Sequence, residues 1–132
     1  MVGKLDGYEV LAKTGAKVNG VDTTLPATGV TLVLYQSNLR AAEGKGARFK
    51  MLILNLYSSH ASAANGVTVD ESNDGGSNWD NVFQTTLVAT TATKAYVKVS
   101  APELRVRFAN SANNTTIFRY SIIGDTSERS NG

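Results

Sequence analysis

Seven short runs rich in Val, Thr, Ile, Leu and aromatic residues recur through the chain, each closed by a cluster of Gly, Ser, Asn or Asp, and this rhythm constrains the fold more than any other feature. The runs are VTLVLYQ from Val30, RFKMLILNLYS from Arg48, GVTVDES from Gly66, NVFQTTLVA from Asn81, AYVKVS from Ala95, ELRVRFA from Glu103 and TIFRYSII from Thr116. β-Branched and aromatic side chains suit a pleated, half-buried surface, and turn formers at short intervals stop each run before it becomes long. Residues 38–47 contain two glycines and read as a loop, while 60–66 and 110–114 read as turns. No stretch has the length and composition of a confident helix. Seven or eight short strands in one unit predict an all-β, antiparallel β-sandwich.

At 132 residues the chain can build one core but not two. The expected organisation is an extended N-terminal arm or edge strand over residues 1–28, a sandwich over 29–125 and a polar tail over 126–132. No apolar run is long enough for a helical membrane span, and the first residues lack the pattern of a secretory signal. With no cysteine, disulfides and thiolate ligands are excluded. Thirteen Lys and Arg against eleven Asp and Glu leave a net charge of +2, too small a surplus to imply nucleic acid by itself. An electrostatic partner must be recognised by a local cluster.

The strongest candidate cluster is basic. Read as a hairpin around the turn NSANN, the last two runs pair Ala109 with Thr115 and set Arg105 opposite Arg119. Alternation then directs Leu104, Val106, Phe108, Phe118 and Tyr120 to the core, and Arg105, Arg107 and Arg119 to the other face. Facing guanidiniums repel, so this face should meet carboxylates, from a neighbouring strand or from another molecule. Aromatics and arginines fall on opposite faces, which argues against a stacking platform for single-stranded nucleic acid. The second run begins with Arg48 and Lys50 and becomes apolar on both faces in MLILNLY. Such a strand is covered twice, by the arm or by another subunit. Ile117 and Ile123, on the arginine side of the last strand, point the same way.

Catalytic material is sparse. His60 is the only histidine and lies in a Ser/Ala-rich turn, so a zinc site and Cys/His or Ser/His nucleophilic arrangements have almost no material to work with. EGKGAR lacks the spacing of a phosphate loop. Asp70, Glu71, Asp74 and Asp80 cluster, but their spacing is not that of a calcium loop, and Asp and Asn in turns bond their own backbone. The expectation is no catalytic site, no cofactor and no metal.

Two resemblances add to this reading. SNDGGSNW, residues 72–79, resembles the Asp-box turn of sialidase-type propellers; one copy cannot make a propeller, and the resemblance gives Ser72, Asp74, Gly76 and Trp79 the role of holding a turn. The segment 101–125, APELRVRFANSANNTTIFRYSIIGD, with the preceding stretch from residue 66, resembles small structural proteins of tailed bacteriophages. That resemblance implies a jelly-roll-like sandwich in the virion, made in the bacterial host and placed on the capsid surface. It implies a head decoration, or cement, protein: a homotrimer or homodimer that binds the major capsid protein, with neither nucleic acid nor membrane as partner. Arg48, Lys50, Arg105, Arg107 and Arg119 are then the candidate partner contacts, and residues 1–28 the arm that reaches a neighbour. A phage tail or baseplate component is one alternative. Another is a carbohydrate-binding β-sandwich with Trp79, Tyr57 or Tyr96 stacking on sugar rings and the Asp/Asn loop supplying hydrogen bonds. A glycosidase needs two carboxylates across a cleft, for which so small a sandwich leaves little room.

Overall fold

Alternation along each run becomes inside and outside in the folded chain. Leu52, Leu54, Leu56 and Ser58 are buried, while Met51, Ile53, Asn55 and Tyr57 between them point to the opposite side. The computed structural model describes residues 8–14, 17–18, 21–22, 25–36 and 50–125. Its strands are β1 (Tyr8–Lys13), β2 (Lys17–Val18), β3 (Val21–Asp22), β4 (Thr31–Gln36), β5 (Met51–Ser58), β6 (Ser62–Ser72), β7 (Asp80–Thr85), β8 (Thr93–Lys98), β9 (Glu103–Asn110) and β10 (Phe118–Asp125). β2 and β3 form a small ribbon of their own. The other eight make two four-stranded antiparallel sheets, in the orders β1-β10-β5-β8 and β4-β9-β6-β7.

Within these sheets only β6 and β7 are both consecutive and paired. Every other step along the eight strands crosses from one sheet to the other, and the result is a jelly-roll-like β-sandwich. Each of the seven runs read from the sequence supplies a strand, although residues 86–89 and 116–117 of the fourth and last runs lie beyond β7 and ahead of β10, and residues 48–49 are outside the described residues. Residues 62–66, read as part of a turn, instead begin β6 through a wide bulge: Ser62 pairs with Asn110 and Val67 with Phe108. Gly66 is required there, because a Cβ would lie 2.5 Å from the carbonyl oxygen of Ala109.

Both sheets feed one core. Val67, Val69, Leu104, Val106 and Phe108 come from the second sheet and Leu52, Leu54, Leu56, Phe118 and Ile122 from the first. Phe108 and Phe118 meet across the gap with ring centroids 4.6 Å apart and planes tilted by 41°. That geometry favours the ring quadrupoles and locks the layers together.

The last two strands do not form a hairpin. β9 lies between β4 and β6, and β10 between β1 and β5, so Ala109 pairs with Thr31, and Arg119 faces Tyr57 rather than Arg105. The connection at 111–117 climbs from one sheet to the other and is held by its own polar groups. Asn110 donates to the carbonyls of Pro26, Ala27 and Asn113 and accepts from Ser111 N–H and the Thr115 hydroxyl. Ser59 Oγ accepts from the N–H groups of Thr116 and Ile117. A seven-residue Asn-rich stretch satisfies a sheet crossing as well as a turn, and local sequence does not separate the two.

β1 is the edge strand of the first sheet, paired with β10. Thr14 extends the pairing, donating its N–H to the Tyr120 carbonyl and accepting the Tyr120 N–H. The sheet thus includes residues ahead of Gly29. β1 lies beside β10, not over β5, so it does not supply the second cover expected for MLILNLY. The 38–47 loop and the 126–132 tail lie outside the described residues.

Candidate functional site

The outward side chains of the two sheets form two different surfaces. On the second sheet, Arg105 and Asp70 are direct partners on adjacent strands, and Arg107 follows two residues on. Arg105 Nε and Nη2 donate to Asp70 Oδ2 at 3.1 and 3.0 Å, and Arg107 Nη2 lies 3.1 Å from the same oxygen. Asn81 Nδ2 completes the shell by donating to Asp70 Oδ1 at 3.2 Å. The carboxylate is almost fully buried by these groups, with 3% of its side chain exposed. Desolvating it is tolerable because two cations and an amide replace its water. The carboxylate expected opposite the arginines therefore comes from a neighbouring strand of the same chain.

Beside this cluster is the DGGSNW turn. Ser72 donates to Asp74 Oδ1, and Ser72 Oγ accepts from Gly76 N–H at 2.9 Å. Asp74 accepts from the backbone and side-chain N–H of Asn78 at 2.9 and 2.7 Å, and Gly75 and Gly76 take positive φ. These bonds, led by the Asn78 side chain, hold the Asp74 carboxyl below its ordinary value. Trp79 returns from the turn to lie under Arg105, whose guanidinium carbon is 4.2 Å from the ring centroid. Glu71 accepts from the N–H groups of Ser100 and Ala101. Three of the four clustered acids, Asp70, Glu71 and Asp74, are thus engaged by their own chain, and Asp80 is exposed. Among the described residues no group of three His, Cys, Asp or Glu is arranged to hold a metal.

The first sheet carries a groove of about 530 Å³ on its outer side. Asn55 and Tyr57 of β5, Arg119 and Ser121 of β10, and Lys94 of β8 line it, and Ala92 closes it from the loop before β8. Register explains the gathering. Arg119 pairs with Tyr57, Ser121 with Asn55, and Asn55 with Lys94, so alternate positions on three strands converge on one side. Arg119 stacks on Tyr57 with its guanidinium carbon 4.3 Å from the centroid. Asn55 Nδ2 donates to Ser121 Oγ at 3.0 Å, fixing the floor and leaving the amide oxygen available. Tyr96, 60% exposed, pairs with Ile53, four residues along β5 from Tyr57. At the rise of a strand the two tyrosines stand roughly 13 Å apart along the sheet.

The five basic residues singled out from the sequence do not form one patch. Arg105 and Arg107 are on the second sheet, Arg119 is on the outer face of the first, and exposed Lys50 precedes β5. Arg48 lies outside the described residues. Arg105, Arg107 and Arg119 are outside and Phe108, Phe118 and Tyr120 inside, as alternation predicts, whereas the hairpin pairing that would bring the arginines together is not formed. The groove itself escaped the sequence reading because β5 and β10 are separated by some sixty residues, and no local pattern announces their register. Tyr57 and Tyr96, named there as sugar-stacking candidates, both lie on this face; Trp79 is on the other sheet's side.

No family model matches the chain, and no curated protein sequence matches it. Among solved structures it is similar to a point mutant of CBM29-2, a family 29 carbohydrate-binding module studied for its mechanism of ligand recognition. The match covers 90% of this chain and 91% of that one, with 14% sequence identity and a TM-score of 0.50. Identity at that level speaks for a shared β-sandwich fold.

Proposed function

We propose that this protein is a carbohydrate-binding module whose ligand lies along the outer face of the β1-β10-β5-β8 sheet. The observation that carries the reading is the groove in which a stacked Tyr57 and Arg119 stand over a polar floor of Asn55 and Ser121. A pyranose ring presents a flat patch of C–H groups and a rim of hydroxyls. Binding sites for such ligands combine an apolar wall with a few fixed polar groups, and tyrosine supplies flat contact area at low entropic cost. Tyr96 offers a second apolar surface further along the sheet, so the ligand that suits the face is an extended chain. The similarity to a carbohydrate-binding module supports the same reading through the shared fold. The reading involves binding without chemistry. Titration calorimetry against a panel of soluble polysaccharides tests it: at least one should bind, and Tyr57→Ala should weaken that binding by about tenfold or more. Absence of binding across the panel refutes it.

A virion decoration role remains a separate proposal. Viral capsid domains also use jelly rolls, and the outward row Val10, Ile123, Ile53 and Tyr96 gives the first sheet an apolar band that fits a subunit contact. The closing hairpin that suggested this role is not formed. Cosedimentation with empty capsids is its test, and failure to cosediment removes it.

A further inference from the structure

We infer that the polysaccharide bound by this groove is anionic and carries carboxylates, as a polyuronate does; the inference rests on the carbohydrate-binding reading. Charge on the outer face of the first sheet is of one sign near the groove. Lys13, Ser121, Asn55 and Lys94 form one row across all four strands, through successive pairs in the register. Arg119 occupies the next outward position of β10, and Lys98 lies further along β8. Lys13, Lys94, Lys98 and Arg119 are all exposed.

Of these four cations Lys94 and Arg119 line the groove, and no carboxylate lines it. Asp125 is on the same face in the row of Lys98, across Met51 of β5, and lies six residues from Arg119 along β10, roughly 20 Å away at the rise of a strand. On the second sheet, by contrast, Asp70 is shared between two arginines. Surfaces with no ligand to attract ordinarily mix both signs. A groove with cations on its rim and an apolar wall focuses potential on whatever enters it.

The spacing favours a uronate chain over a phosphodiester. A nucleic-acid strand carries a charge every ~3.4 Å, whereas the row from Lys13 to Lys94 spreads two cations over three interstrand gaps, roughly 14 Å. Sparse cations alternating with an amide and a hydroxyl match a chain that alternates carboxylates with hydroxyls. The guanidinium of Arg119 is planar and fixed on Tyr57, so it can take a carboxylate with two parallel N–H donors beside the stacked ring.

The test measures binding of the full chain to polygalacturonate, alginate, neutral glucomannan, dextran sulfate and single-stranded DNA, each at low and high salt. Polygalacturonate or alginate should bind best and weaken as salt rises. Lys94→Glu should lower that affinity roughly tenfold with no change in melting temperature, and Arg119→Lys, which keeps the charge but loses the fork, should fall between Arg119→Ala and the parent. Binding of glucomannan alone, or equal binding of neutral and acidic chains without salt dependence, overturns the inference and leaves the carbohydrate reading standing. Preference for dextran sulfate or DNA overturns the carboxylate assignment. Failure to bind any of the glycans overturns both.

Discussion

On each outer face of the sandwich an arginine stacks on an aromatic ring, Arg105 on Trp79 at 4.2 Å and Arg119 on Tyr57 at 4.3 Å. The local geometry is nearly the same, and the surroundings are opposite. Arg105 is held by Asp70, which also holds Arg107 and accepts from Asn81, so the charges of that cluster are answered within the chain and only Arg107 Nε is left without a partner. Arg119 stands on the rim of a groove with no carboxylate beside it. A cluster that satisfies itself contributes to stability and has little left for a ligand. A cluster that leaves donors, a flat ring and an amide oxygen exposed contributes little to stability and is available for recognition.

The largest effect that can break this contrast is expected at Asp70. Replacing it with Ala leaves Arg105 and Arg107 without their shared acceptor, and Arg107 Nε is already buried without a partner. Loss of a largely buried charge partner costs about 3 kcal/mol, softened because both arginines keep some access to water. Urea denaturation should show that loss, with polysaccharide affinity unchanged in the variant at temperatures where it is folded. A loss under about 1 kcal/mol, in the range of a surface pair, would mean that the cluster is not the structural one.

Exchanging the two aromatics sharpens the comparison. Tyr57→Ala should lower polysaccharide affinity by about 1–2 kcal/mol and stability by less, because Tyr57 is on the outside of its strand. Trp79→Ala should do the reverse, costing about 1 kcal/mol of stability through lost cation–π contact and lost cover of the turn, with affinity intact. Parallel calorimetry and denaturation on both variants decide the matter, and equal affinity losses would erase the distinction between the faces.

These faces also mark where sequence stops being legible. Which side chains point in and which point out was readable, because alternation is local: Leu104, Val106 and Phe108 are in the core and Arg105 and Arg107 outside it. The DGGSNW turn was readable for the same reason, since all of its bonds lie within a few residues. Partnership between strands was not readable. A jelly roll sends nearly every strand to the opposite sheet from its predecessor, so the nearest strand in sequence is the wrong guess for the neighbour in space. That error joined Arg105 to Arg119 and hid the pairing of Arg119 with Tyr57 on which the candidate site depends.

A smaller effect is expected at Tyr96, which is 60% exposed on edge strand β8. Tyr96→Ala should leave the denaturation curve in place, and it should cost about 1 kcal/mol of affinity only for chains long enough to reach from Tyr57. Titration with oligosaccharides of increasing length checks this: parent and variant should agree for short oligosaccharides and diverge for long ones. Agreement at every length would confine the site to the groove and remove Tyr96 from it.

The smallest effect belongs to Asp74, at the turn beside the self-satisfied cluster. Hydrogen bonds from Asn78 and Ser72 favour its ionised form, so its folded value is lower than its unfolded one. Linkage then fixes the sign. The contribution to stability is complete above the ordinary carboxylate range and is lost as pH falls through the lowered value, because the unfolded chain takes up the proton first. Asp74→Asn removes that titration. The difference in melting temperature between the parent and Asp74→Asn should be widest near neutral pH and shrink toward acid, measured without ligand, because a polyuronate titrates in the same range. A gap that stays constant with pH would show that the turn is held by shape alone and that the Asp74 charge does not contribute to it.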